Sequence, residues 1–190
     1  MNPINHFLTG WVVANADRGL NRRERLLITA AGVIPDADGF GIVAEALTRN
    51  GDHPLLWWTN YHHVLFHNIF FAAAAAAVSS FFATKRLKTA ALVFLSLHLH
   101  LIGDILSGKG PDGSVWTVSY LMPFSRTFEV SWNGQLELNA WPNFVFAVTL
   151  LALTFFLAWR RGYSPLEMVS SRADRAFVQT LRQRFSALTS

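Results

Sequence analysis

Residues Asn139–Trp159, with the sequence NAWPNFVFAVTLLALTFFLAW, contain no charged side chain. An α-helix rises about 1.5 Å per residue, so roughly 20 such residues cross a hydrocarbon core about 30 Å thick. Arg160 and Arg161 follow directly after the final tryptophan. Aromatic and basic residues in this order are typical of a cytoplasmic membrane interface. We therefore predict a membrane-spanning helix here.

Two other apolar stretches extend this prediction to a helical bundle. Val64–Thr84 has His67 as its only ionisable side chain, and Thr89–Ser107 has two histidines and one aspartate. Ionisable groups are costly in lipid, so those of Thr89–Ser107 must face protein or water. We expect three or four membrane-embedded helices. A soluble helical bundle is the alternative, because the alanine-rich Val64–Thr84 is only weakly apolar.

The composition narrows the classes of function. Of the 190 residues, 52% are hydrophobic and 15% are charged, which excludes a disordered chain. The net charge is +4, but the chain is too apolar for a typical nucleic-acid-binding protein, so we expect membrane lipid and no nucleic acid among its partners. There is no cysteine, which excludes disulfides, a cysteine nucleophile and thiolate metal sites. Any metal must therefore be bound by imidazole and carboxylate groups.

Turn signals divide the chain into helical hairpins. Asn21 is a helix cap, and Pro35 ends the second helix because proline disfavours helical backbone in the residue before it. The basic loop 85–88 separates two apolar stretches, and alternation around Asn133-Gly134 predicts a small β-hairpin. The expected helices cover Leu8–Ala16, the residues from the Asn21 cap through Ala31, a short piece within Asp36–Trp58, Val64–Thr84, Thr89–Ser107 and Asn139–Trp159.

The predicted fold class is all-α: a membrane-embedded helical bundle of antiparallel helix hairpins with a small β-hairpin insertion. Residues 1–163 would form this domain, and residues 164–190 a basic amphipathic helix. We predict that this helix is an interfacial anchor on anionic lipid, with packing into the bundle or binding of a protein partner as the alternative. The basic residues 85–88 and 160–161 place both loops in the cytoplasm of a multi-pass inner-membrane protein, with the opposite hairpin ends on the periplasmic side.

Antiparallel hairpins bring distant polar residues together. Residues at equal distances from a turn lie side by side, so His67 and Asp104 should be neighbours across the basic loop. By the same rule, His6 should lie beside Asp36 and Asp38 across the first turn. Two polar pairs are therefore expected at the open ends of two hairpins.

Other histidines compete for a place in this group. On a continuous helix His63 shares a face with His67, and His62 joins them only if the helix starts later. His100 shares the face of the aspartate four residues after it, whereas His98 points elsewhere. The choice between His62 and His63 stays open on these grounds.

Seven imidazole and carboxylate groups thus converge on one end of the bundle. Each buried unpaired charge costs on the order of several kcal/mol, and a bound metal ion would neutralise several of these groups at once. Nitrogen and oxygen donors fit zinc, manganese or iron, as one or two ions. The plainer alternatives are a buried hydrogen-bonded His–Asp pair and a solvated turn at residues 35–38. That turn lacks the glycine and glutamate of a calcium-binding EF-hand loop.

Short motifs in the first two thirds of the chain carry a resemblance to a known family. They are His6-Phe7-Leu8-Thr9-Gly10, Val33-Ile34-Pro35-Asp36-Ala37-Asp38, His62 with His67-Asn68, His100-Leu101-Ile102-Gly103-Asp104-Ile105-Leu106-Ser107, and Met122-Pro123-Phe124-Ser125-Arg126. Together they resemble the membrane-bound, metal-dependent hydrolase family of bacteria and archaea. The fourth motif is also similar to the zinc-binding helix of zinc-dependent phospholipase C. Relatives show His-Arg-Gly where this chain has His62-His63-Val64, and the resemblance favours His62 as the ligand.

The resemblance implies a hydrolase with a divalent metal centre and no particular substrate. On chemical grounds we expect an ester, in particular a phosphoester of a lipid or envelope molecule, with zinc as the first candidate metal. Arg126 would contact an anionic headgroup, with a solvated loop arginine as the alternative. The rival function is a non-catalytic, metal-stabilised membrane or partner-binding protein, in which four protein ligands would close the site to water. The implied metal ligands are His6, Asp36, Asp38, His62, His67, His100 and Asp104, of which Asp36, Asp38 and Asp104 are also candidate catalytic residues.

Overall fold

The computed structural model describes residues 1–110 and 113–185 and is mostly helical. Two 3-10 segments, Ile34–Phe40 and Pro165–Met168, precede the third and the last helix. The two short strands are β1 (Val118–Ser119) and β2 (Glu129–Val130). The helices are α1 (Pro3–Ala14), α2 (Arg22–Ala31), α3 (Gly41–Thr48), α4 (Trp57–Tyr61), α5 (Ile69–Phe82), α6 (Arg86–Ser107), α7 (Trp141–Arg161) and α8 (Ser171–Arg184).

The first hairpin consists of α1 and α2. Asn21 caps α2 in a reciprocal capping box, which confirms the predicted start of that helix. The expected start of α1 at Leu8 is wrong, because Asn2 caps the helix and Pro3 fits its first turn. This earlier start places His6 on a helix, so its side chain is held by the packing of α1.

The second hairpin consists of α5 and α6. Its turn packs against the turn of the first hairpin. The buried Glu24 carboxylate accepts a hydrogen bond from the Lys85 amide at 2.7 Å. Asp17 of the first turn pairs with Lys88 at 2.6 Å. The apolar core between the two hairpins contains residues of α1, α2, α5 and α6. Because the turns coincide, the open ends of both hairpins meet at the opposite end of the bundle.

Two helices, α6 and α7, are long and apolar enough to cross a membrane. A third candidate is α2 together with Ile34–Thr48, which bends by 51° between its two parts. The helix expected over Val64–Thr84, a candidate span, is shorter than predicted, because Asn68 caps a helix that begins only at Ile69. The 14 residues of α5 extend only about 21 Å, which is too short to cross alone. The described residues thus contain two or three candidate spans.

The predicted β-hairpin around Asn133-Gly134 is also wrong. Instead, β2 (Glu129–Val130) pairs with the strand that precedes it in the chain, β1 (Val118–Ser119), in an antiparallel sheet. After the turn the chain does not return along β2, because the Gln135 side chain bonds both backbone groups of Trp116, at 2.8 and 2.6 Å. The next amide donates to the C-terminal end of α6.

The C-terminal segment is attached to the first hairpin. Arg25 of α2 donates to Glu167 through Nε at 2.6 Å and Nη2 at 2.7 Å, and both side chains are buried. Asp174 of α8 accepts hydrogen bonds from the amide and hydroxyl of Ser164 at 2.6 and 2.7 Å. This packing matches the alternative to a purely interfacial anchor, and an additional lipid contact stays a prediction. Residues 186–190 of the predicted helix lie outside the described residues.

Candidate metal centre

The open ends of the two hairpins enclose a cluster of buried histidines and aspartates. It draws on α1, the 3-10 segment after α2, the connection between α4 and α5, and α6. The predicted neighbours His67 and Asp104 lie 3.6 Å apart, which confirms the hairpin geometry. All seven predicted ligands come together, with one further histidine. The cluster consists of His6, Asp36, Asp38, His62, His63, His67, His100 and Asp104.

A first group of possible ligands lies between α1, the 3-10 segment and α6. Its members are His6, Asp36, His100 and Asp104, and one donor atom from each lies within 4.8 Å of all the others. His100 Nε2 is 3.0 Å from Asp104 Oδ2 and 3.6 Å from Asp36 Oδ1. His6 Nε2 is 2.9 Å from Asp104 Oδ1. Four donors of the kinds that bind a divalent cation therefore lie close enough together to be candidate ligands of one ion.

A second group shares Asp104 with the first. It contains His63, His67 and Asp104, again with donor atoms within 4.8 Å of one another. The side chain of Asp104 is 3% exposed, so its charge requires nearby positive partners. A carboxylate with two oxygens accommodates two neighbouring cations. The arrangement thus has room for one or two ions, as the sequence predicts.

Hydrogen bonds fix the orientation of the two central rings. His100 Nδ1 donates to the carbonyl of Gly32 at 2.9 Å, and His67 Nδ1 donates to Asp38 Oδ2 at 3.1 Å. In the neutral form of each ring, Nε2 then carries a lone pair. These two Nε2 atoms lie only 3.1 Å apart. Two facing lone pairs repel unless a cation, either a proton or a metal ion, lies with them.

Asp38 differs from the other aspartates because both of its oxygens bind histidine rings. Oδ1 lies 3.0 Å from His62 Nδ1 and Oδ2 lies 3.1 Å from His67 Nδ1. A carboxylate that holds the Nδ1 proton of a ligating histidine is common around metal sites, where it sets the tautomer and orientation of the ring. Neither ligand group contains Asp38 or His62. The geometry therefore suits Asp38 better as an orienting group than as a ligand.

The connection between α4 and α5 explains how both His62 and His63 reach the site. The α4 helix ends at Tyr61, and His63 has a left-handed backbone with φ of 63°. His62 therefore stacks on Trp58, with ring centroids 3.7 Å apart, while His63 approaches the second ligand group. The sequence allowed His62 to join the site only if the helix that follows it starts later, and α5 indeed begins only at Ile69. His63 is the cluster member that the resemblance left out.

The charge states of His63 and His67, in the connection between α4 and α5, follow from their surroundings. Burial, followed by the neighbouring His67, lowers the pKa of His63 to about 3, so the ring is neutral at pH 7 with a lone pair available. Burial also acts to lower the pKa of His67, but hydrogen bonds with Asp104 and Asp38 outweigh it and raise that pKa to about 9. A proton on His67, together with the N-terminal ammonium of Met1 that contacts Asp104, thus offsets part of the negative charge of the aspartates. A divalent cation would take over this role and release the proton.

Two predicted residues stand apart from the cluster. His98 points elsewhere, as its spacing predicts: Nδ1 donates to the carbonyl of Phe94, and Nε2 lies 2.8 Å from the Tyr120 hydroxyl. Arg126 is exposed. Among the described residues, no hydrogen bond or ion pair found joins Arg126 to the cluster. Contact of Arg126 with a headgroup stays a prediction.

The donor set fits a divalent metal ion. Zinc binds nitrogen and oxygen ligands at about 2.0–2.2 Å, so the ligands of one ion lie within roughly 4 Å of each other. Within the described part of the chain, two buried atoms of the first group lack a hydrogen-bond partner: His6 Nδ1 and Asp36 Oδ2. Buried polar atoms are rarely left without partners. The residues present therefore match the needs of zinc, manganese or iron.

Comparison with known proteins places the chain in one family of membrane proteins. A family model described as YdjM inner membrane protein matches residues 1–177. The matched region includes every residue of the cluster and both helices that are long enough to span a membrane. No curated protein and no solved structure matches the chain.

Proposed function

Because the chain belongs to the YdjM inner membrane protein family, we propose that its buried histidine–aspartate cluster is the metal centre of an inner-membrane ester hydrolase. The substrate class proposed is a phosphoester of a lipid or another envelope molecule. The observation that carries the proposal is the pair of Nε2 atoms of His67 and His100, which face each other at 3.1 Å. Their Nδ1 atoms are both engaged elsewhere, so each Nε2 faces the region where the two ligand groups adjoin, and metal ions bound to these atoms would replace a shared proton.

The residues of the chain divide into ligands and orienting groups. His6, Asp36, His100 and Asp104 would hold one ion, and His63, His67 and Asp104 a second. Asp38 and the Gly32 carbonyl would hold the rings of His67 and His100 so that Nε2 faces the ion. When bound, a divalent cation supplies the Lewis acid that activates water and polarises the ester.

Hydrolysis adds water across the ester bond, with the hydroxyl group joining the phosphorus or acyl carbon and a proton going to the leaving oxygen. Asp36 Oδ2 is buried and has no hydrogen-bond partner among the described residues. The Asp36 side chain is also the most exposed of the three aspartates of the cluster, at 19%. Asp36 Oδ2 is therefore the best-placed atom to accept the proton of the attacking water.

The proposal is tested on detergent-purified protein with bis(p-nitrophenyl) phosphate as the substrate. We expect bound metal, measured by plasma mass spectrometry, and turnover that a chelator abolishes and zinc or manganese restores. His100→Ala should lose both, whereas His98→Ala should keep both because His98 contacts only Phe94 and Tyr120. Metal binding without turnover of any ester would support the non-catalytic, metal-stabilised protein instead.

A separate prediction concerns the orientation of the bundle in the inner membrane. Leu87 and Asn133 lie near opposite ends of α6 and both are exposed. Because the chain has no cysteine, Leu87→Cys and Asn133→Cys each introduce one labelling site. The positive-inside tendency predicts that an impermeant maleimide added to cells labels Asn133→Cys and not Leu87→Cys. The reverse pattern would place the metal centre on the cytoplasmic side.

A further inference from the structure

An apolar groove runs between α3 and α4, beside the metal centre. Its volume is about 680 Å³, within the range of roughly 300–1,000 Å³ that is usual for small-molecule sites. One wall consists of Phe40, at the end of the 3-10 segment, and of Val43, Ala44 and Leu47 on α3, at the three- and four-residue spacing of one helical face. Trp57 and Tyr61, together with Leu65 beyond the end of α4, form the opposite wall.

The groove depends on close contact between the two helices at their first turns. A methyl group on Gly41 would lie 2.8 Å from the backbone of Trp57 and Trp58, so only glycine allows this approach. Farther along, Glu45 accepts hydrogen bonds from the amide and hydroxyl of Thr59 at 3.0 and 2.9 Å. The helices are thus joined to each other independently of any ligand.

One end of the groove reaches the metal centre. Asp38 is the only charged residue among the described residues that line the groove, but its side chain is buried and its carboxylate bonds the rings of His62 and His67. A molecule in the groove therefore meets mostly apolar side chains, and its end at Asp38 lies next to the cluster. This distribution matches an amphiphile with a hydrocarbon chain and a polar terminus.

A second cleft lies on the other side of α4 and is more polar. It has a volume of about 460 Å³, and its lining includes His62, His63, Thr59, Trp116 and Thr117. The hydrogen-bonded pair of Asp38 and His62 thus stands between the groove, which Asp38 lines, and the cleft, which His62 lines. An ester bond placed at the cluster would have its hydrocarbon part on one side and its polar part on the other.

We propose that the groove between α3 and α4 binds the hydrocarbon chain of the substrate, and that the polar cleft receives its headgroup. The proposal rests on the hydrolase function proposed for the cluster and narrows its substrate to an amphiphilic ester. Ala44 lines the groove midway along α3. A side chain larger than alanine there takes the space of the chain while leaving every cluster residue in place.

The test uses an alkylphosphocholine that carries a photoreactive diazirine on its alkyl chain. After illumination of the metal-loaded protein in detergent, mass spectrometry compares labelling of α3 and α4 with labelling of the exposed face of α7. We expect labelling of α3 and α4 that excess unlabelled alkylphosphocholine removes and that phosphocholine alone does not. Labelling of α7 should resist competition, because it reports ordinary contact with detergent or lipid.

Two variants on the same helix separate groove binding from general effects. Ala44→Trp should lose the competable labelling, whereas Ala46→Trp should keep it, because Ala46 is exposed and does not line the groove. The ratio of alkylphosphocholine to bis(p-nitrophenyl) phosphate hydrolysis should fall only in Ala44→Trp. Labelling that is no more competable on α3 and α4 than on α7 would overturn the proposal, and this result needs no variant.

The outcomes distinguish failure of the groove proposal from failure of the proposed hydrolase function. Competable labelling in a protein that hydrolyses neither phosphodiester would support chain binding and contradict the proposed function. Hydrolysis of bis(p-nitrophenyl) phosphate without competable labelling would support a metal-dependent hydrolase of soluble esters and contradict the groove.

Discussion

Asp104→Asn should remove metal from both ligand groups at once. The Asp104 carboxylate lies within 3.6 Å of ring nitrogens of His6, His67 and His100, and it belongs to both groups. Asparagine has nearly the same shape but no charge, so the histidines keep their packing and lose the anion that binds the cation. We expect metal content, measured by plasma mass spectrometry after gel filtration, to fall to background.

Asp38→Asn should give a graded and smaller effect. Asp38 contacts His62 and His67 and lies outside both ligand groups, and loss of such an orienting carboxylate typically weakens metal affinity about 10–100-fold. A titration with zinc against a competing chelator measures this difference. His98→Ala is the control that should bind like the wild type. Wild-type affinity in Asp104→Asn, or complete loss only in Asp38→Asn, would reverse the assignment of ligand and orienting group.

Glu167→Gln should have the largest effect on stability. The Arg25–Glu167 pair is buried, with two hydrogen bonds of 2.6 and 2.7 Å, and the guanidinium lies 3.7 Å from the centre of the Tyr163 ring. Removing one charge leaves the other buried without its partner, which typically costs about 3–5 kcal/mol. Denaturation in detergent, followed by circular dichroism, should show this loss of unfolding free energy.

Two controls distinguish the buried pair from a general charge effect. Asp52→Asn removes an exposed charge and should change stability by no more than about 0.5 kcal/mol. The double variant Arg25→Met with Glu167→Met removes both charges and should recover much of the stability that Glu167→Gln loses. If Glu167→Gln is as stable as the wild type, the Arg25–Glu167 pair does not attach the C-terminal segment to α2. The segment could then act as an anchor alone.

Local signals in the sequence were sufficient for several parts of this protein. The uncharged stretch Asn139–Trp159 indicated a helix of spanning length, because length and polarity are properties of the segment alone. The Asn21 cap located the start of α2 for the same reason. Equal spacing about the basic loop predicted that His67 and Asp104 are neighbours, because an antiparallel hairpin relates its two arms by simple geometry. Hairpin geometry thus brought six of the predicted ligands together, and the choice of His62 over His63 as the seventh came from the resemblance.

Contacts between distant segments decided the rest. The partner of β2 is β1, because Gln135 and the following amide bind Trp116 and the end of α6 instead of β2. His63 reaches the site through a left-handed backbone that helical periodicity does not encode. Asp38 and Asp104 have the same side chain, yet one is surrounded by Nδ1 atoms and the other by Nε2 atoms. Their different roles depend on how α1, α6 and the 3-10 segment pack, since a histidine ring presents either nitrogen according to what holds the other.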